Sequence, residues 1–131
     1  MVPDPYFNEP GYERDMGTPR GDAATFAYNS ERRVATLRWA MVEQLRNPPR
    51  GFEDVARRHF RFRRSFLRRQ CEQWIRETDE AAAKPNAEGA VSGGGGDYEG
   101  HSSYSASTFA SHATQLRRYT SELEALLNML D

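Results

Sequence analysis

Apolar residues recur in this chain at helical intervals and nowhere at strand intervals. That periodicity limits the fold more than any other feature. Val34, Leu37, Met41 and Leu45 stand 3, 4 and 4 residues apart, which places them on one stripe of an α-helix. Ala35, Trp39 and Val42 form a second strip beside it, so the apolar face is wide enough to need cover on two sides. A helix is predicted over 30–46, with Asn29 or Ser30 as its N-cap and Asn47-Pro48-Pro49 ending it. Phe52, Val55, Ala56 and Phe60 predict a short helix over 51–60. Leu67, Cys71, Trp74, Ile75 and Thr78 share one face of another over 65–78. Residues 61–64 between them read as a kink or as continuous helix. Phe109, Ala113, Leu116, Leu123, Leu127 and Leu130 predict a fourth helix over 108–130. The expected fold class is therefore mainly α: three clustered helices, a flexible linker and one C-terminal helix. The expected core is Val34, Leu37, Trp39, Met41, Leu45, Phe52, Phe60, Cys71 and Trp74.

Punctuation and charge divide the chain further. Pro3, Pro5, Pro10, Gly11, Gly17, Pro19 and Gly21 make residues 1–27 read as an extended, turn-rich arm. Its aromatics, Tyr6, Phe7, Tyr12 and Phe26, call for burial against something. Ser92-Gly93-Gly94-Gly95-Gly96 and the serines after it make 79–107 a flexible linker. The expected division is 1–78, 79–107 and 108–131. The net charge of −1 conceals an imbalance, because 51–78 carries eight Arg against four acids and 79–131 three bases against eight acids. No run of about 18 apolar residues is present, so no membrane-spanning helix is expected. The first residues, Met1-Val2-Pro3-Asp4-Pro5, do not read as a secretory leader, and a single Cys makes no internal disulfide. These features suit a soluble cytoplasmic protein.

Few residues carry chemistry. Cys71 is the only thiol, and its place between Leu67 and Trp74 favours a core role over a nucleophilic one. His59, His101 and His112 have no partner at metal-ligand spacing, so no metal and no cofactor are expected. Gly93–Gly96 is followed by Asp97 rather than Lys and Ser or Thr, so it is no phosphate loop. The conspicuous feature is the run from Arg57 to Arg69, with seven Arg, three Phe and no acid. Its arginines Arg57, Arg58, Arg61, Arg63 and Arg64 form a candidate basic surface. The spacing of Phe60, Phe62 and Phe66 beside Val55 and Leu67 favours core phenylalanines over a nucleic-acid surface. A docking face for an acidic protein, or for the chain's own acidic C-terminal part, is the third possibility.

One stretch is more specific. Pro5-Tyr6-Phe7-Asn8-Glu9-Pro10-Gly11-Tyr12-Glu13-Arg14, followed by Gly17-Thr18-Pro19, resembles the loop after the active-site region in a divergent group of ubiquitin-conjugating enzymes. Tyr28-Asn29, Arg33 to Met41, Glu43 to Pro48, His59-Phe60 and Gln70 to Ile75 are similar to the same group. So, more weakly, is Ser111 to Thr120. The likeness is greatest to the giant, baculoviral-repeat branch that combines conjugating enzyme and ligase and inhibits apoptosis. The resemblance implies the C-terminal portion of an α+β fold whose strands and catalytic Cys precede these residues. It places Asn8, Glu9, Tyr12 and Glu13 at the rim of the active site. It gives Cys71 no catalytic role. It implies a fragment that supports ubiquitin transfer to substrate lysines and is inactive alone. Its partners through the parent would be ubiquitin, ubiquitin-activating enzyme and protein substrates, with nucleic acid disfavoured. The alternative reading is a non-catalytic helical interaction module that uses segment 57–69.

Overall fold

Thr18 starts the first helix. Its hydroxyl accepts a hydrogen bond from the backbone N–H of Gly21 at 3.0 Å, Pro19 occupies the first turn and Asp22 complements the helix dipole. The computed structural model describes residues 10, 11, 14, 16–84 and 106–130. Within it, α1 spans Pro19–Ala35, a π-helical segment spans Thr36–Val42 and α2 spans Glu43–Arg46. The three run on as one helical rod. The predicted helix over 30–46 thus begins eleven residues early, and neither Asn29 nor Ser30 caps it. Arm residues 19–27 are helical, because one capping hydroxyl followed by proline is a complete start signal however many glycines surround it.

The π winding has a packing consequence. Leu37 and Val42, five residues apart, are both fully buried. In an α-helix that spacing turns two side chains well away from each other. Closing each turn over i→i+5 brings them back to one side. Trp39, two residues after Leu37, then projects away from the bundle.

The rod ends at Asn47, and a turn reverses the chain. The N–H of Phe52 donates to the carbonyl of Pro49 at 2.9 Å, and Gly51 takes φ +86°. Only glycine accepts that angle without strain, as a type II turn requires. Helix α3 follows over Glu53–Ala83 as one continuous element of 31 residues, about 46 Å long at 1.5 Å per residue. Of the two readings of 61–64, kink or continuous helix, the second holds, so the elements read over 51–60 and 65–78 are one helix, and residues 79–83 of the expected linker are helical. Residues 106 and 107 of the expected linker are helical too, and 85–105 lie outside the described residues. Helix α4 spans Ala106–Asn128.

Three rods result, and side-chain pairs give their directions. Arg68 of α3 meets Glu124 of α4, and Asp79 of α3 meets Arg117, so these helices run antiparallel. Ser30 meets His112 and Arg46 meets Glu122, so the first rod and α4 run in the same direction. Phe60, Leu67 and Cys71 of α3 close on Leu116, Leu123 and Leu127 of α4 and on Val34, Leu37 and Val42 of the first rod. Met41, Leu45 and Trp74 pack against this core without being fully buried. The chain is mainly α, with no strand among the described residues.

Two expected core residues are not in it. Trp39 is 56% exposed and Phe52 61% exposed. Both neighbouring helices lie on the Leu37 side of the first rod. Trp39 faces outward and carries the Arg38 guanidinium 4.3 Å from its ring centroid. Phe52 sits in the reversing turn just before α3, where no helix reaches it.

Candidate functional site

Cys71 lies on the α3 stripe that faces α4 and is 1% exposed. Burial pushes its thiol pKa up, and the charges of Glu124 and Glu72 add to this; the Thr120 hydroxyl beside it offsets only part. A thiol so placed resists ionisation and is out of reach of a large acyl donor. The site that the structure builds around Cys71 is a packing site.

The second polar feature joins residues 82 positions apart. The Ser30 hydroxyl and His112 Nδ1 are hydrogen-bonded at 2.9 Å where α1 meets α4. Ser30 is fully buried. Burial holds the His112 pKa below its ordinary value, and the nearby Glu31 carboxylate opposes the shift in part. Close by, Phe26 and Phe109 meet edge to face at 5.5 Å. Sequence reasoning missed this seam, because neither Ser30 nor His112 carries a local motif.

Ion pairs line the remaining seams. Arg33 bonds Glu77 at 2.7 Å, linking α1 to α3. Arg46 contacts Glu122 at 2.8 Å and Glu43 at 2.9 Å. The Arg68 Nε donates to both Glu124 oxygens at 2.9 Å, and its Nη2 donates to Asn128 at 3.0 Å. The acids of α4 are thus committed to arginines outside the 57–64 cluster.

That cluster is on the outside of the bundle. Arg57, Arg58, Arg61 and Arg63 are exposed and Arg64 is partly buried. Phe60 is buried, but Val55, Phe62 and Phe66 are exposed, against the expectation that all the phenylalanines are core. Once 53–83 is read as one uninterrupted helix, the reason is plain. Phe60, Leu67, Cys71 and Thr78 fall on one stripe; Val55, His59, Phe62 and Phe66 fall on another, about a third of a turn away. The signal was present in the spacing, but it could be read only once 61–64 was settled as helix rather than kink.

The four rim residues, Asn8, Glu9, Tyr12 and Glu13, lie outside the described residues, as does His101. Among the described residues no cluster of His, Cys, Asp and Glu could hold a metal ion. None of the described helices is long and apolar enough to cross a membrane. The arrangement offers packed seams and an exposed face of α3 that carries arginines and phenylalanines.

No protein-family model matches the chain. It is 37% identical, over 98% of its length, to the dual E2 ubiquitin-conjugating enzyme/E3 ubiquitin-protein ligase BIRC6 of Mus musculus, and 36% identical over the same share to that of Homo sapiens. The chain spans 2% of the length of each of these relatives. A protein named as a probable ubiquitin-conjugating enzyme in Caenorhabditis elegans is 45% identical over 57% of this chain and 10% of its own length. A helical fold without strands among the described residues is consistent with the C-terminal portion of such an enzyme's domain.

Proposed function

We propose that this chain, a relative of the ubiquitin-conjugating enzymes, works in ubiquitin conjugation as a helical support and not as the carrier of the thioester. The observation that carries the reading is the similarity to BIRC6 over 98% of the chain. Residues 1–78 stand for the conjugating-domain portion, 79–107 for the connecting stretch and 108–131 for a helix that returns to it. In the reaction, a catalytic thiolate takes ubiquitin from the activating enzyme as a thioester. A substrate lysine amine then attacks the acyl carbon, and the thiol leaves. The burial of Cys71 and its raised pKa argue that this thiolate belongs to another cysteine. Asn8, Glu9, Tyr12 and Glu13 are proposed for the rim of that active site. Ubiquitin, ubiquitin-activating enzyme and substrates of the inhibitor-of-apoptosis type of enzyme are the proposed partners, in the cytoplasm.

The test is a charging assay with ubiquitin, activating enzyme and ATP, resolved with and without reductant. The chain alone is expected to give no reductant-sensitive adduct. A polypeptide joining it to the cysteine-bearing part of a conjugating domain is expected to charge, and to lose charging with Leu37→Asp. An adduct on the chain alone, abolished by Cys71→Ser, would overturn the proposal. One observation favours a second reading, an interaction module on segment 57–69: the exposure of Phe62 and Phe66.

A further inference from the structure

The outer stripe of α3 is apolar without being covered. Phe52 is 61% exposed, Val55 62%, Phe62 85% and Phe66 49%. Val55, His59, Phe62 and Phe66 follow at intervals of 4, 3 and 4, so they stand in line on one side of a single rigid helix. From Phe52 to Phe66 the stripe is about 21 Å long. Beyond Phe66 it runs into an open groove of about 480 Å³ lined by Phe66, Arg69, Gln70, Glu72, Gln73 and Arg76.

Charge flanks the stripe on both sides. Arg63 borders one edge; Arg58, Arg69 and Arg76 border the other. None of these four makes an ion pair with the described residues. The acids near it stand at its two ends: the exposed Glu53 and Asp54 beside Phe52 and Val55, and Glu72 at the far end of the groove. Between those ends, from Arg57 to Arg69, no acid interrupts the basic borders, and such an apolar line fits one with acidic borders.

We propose that this face of α3 docks an acidic amphipathic helix of a protein partner. The partner presents apolar residues at i, i+3, i+4 and i+7, with Glu or Asp beside them. A second copy of this chain is a poor occupant, because pairing the stripe with itself sets arginine edge against arginine edge. Helix α4 is already engaged on the core stripe, a third of a turn away, and its Glu122 and Glu124 bond Arg46 and Arg68. A nucleic-acid strand would use the arginines, but base stacking does not call for apolar residues in helical register. The inference rests on this surface alone and does not depend on the role in ubiquitin conjugation.

The probe is a fluorescent peptide of about three heptads, with Leu at a and d and Glu at e and g. It is titrated with the full chain and followed by anisotropy. Binding is expected. Phe62→Ser with Phe66→Ser should weaken it roughly tenfold or more, since central apolar anchors dominate such contacts. Arg58→Glu with Arg63→Glu should weaken it as well and create binding to the same peptide with Lys at e and g. Both pairs alter exposed side chains, and circular dichroism confirms that the variants keep their helices. Absence of binding, or binding unchanged by the Phe62/Phe66 pair, would overturn the proposal. So would equal binding by a scrambled acidic peptide or a single-stranded oligonucleotide, which would identify a general anion surface.

Discussion

Leu116→Ala measures whether α4 is held to the rest of the chain by packing. Leu116 is fully buried between α3 and the first rod. Three carbon atoms are removed, and at about 0.8 kcal/mol per buried CH₂ the lost transfer energy is near 2.4 kcal/mol. The cavity adds about 24 cal/mol per Å³ that the helices fail to close. A total of about 3–4 kcal/mol follows. Alanine is at least as good a helix former as leucine, so no part of the loss comes from propensity. Phe62→Ala is the matched control. It deletes a larger side chain, but one 85% exposed, so the change should stay within about 0.5 kcal/mol. The assay is urea unfolding followed by far-UV circular dichroism. With a slope of about 1–3 kcal/mol/M, the Leu116→Ala midpoint should fall by roughly 1–4 M while the slope holds. Equal losses for the two variants, or a Leu116→Ala loss under about 1 kcal/mol, would show that α4 does not pack as described.

Three further outcomes follow from particular residues. Burial lowers the His112 pKa in the folded chain, so protons bind the unfolded state more tightly; the stability this represents is present above the ordinary value of 6.5 and is lost as pH falls through the folded value. Thermal melts from neutral to mildly acid pH should therefore show the parent losing ground to His112→Gln, and parallel curves for the two would refute the assignment. Cys71 should react with a maleimide or alkylating reagent far more slowly in buffer than in denaturant, and equal rates would mean that the α3–α4 seam is open. Gly51→Ala should cost about 1 kcal/mol, read as a lower urea midpoint, because φ is +86° although open space surrounds the position. An unchanged midpoint would show that the turn re-forms without a left-handed residue.

What could be read from the chain was whatever depends on local spacing. Leu116, Leu123 and Leu127 announce α4 wherever it docks, and the likeness to conjugating enzymes was visible in ordered runs of unusual residues. Thr18-Pro19 was also legible as a helix start, but the surrounding glycines and prolines outweighed it. Periodicity tells which residues share a face; it does not tell which face finds a partner. That choice belongs to the packing of three rods. It buried Phe60 and exposed Phe62, turned Trp39 outward across the π segment, and brought Ser30 to His112 across 82 residues. Local propensity acts over a turn or two of helix, whereas burial is decided by whatever arrives from far along the chain. Spacing along the chain thus carried most of the helical pattern and the family resemblance, whereas the docking of three rods made one apolar stripe of α3 core and left its neighbour on the surface.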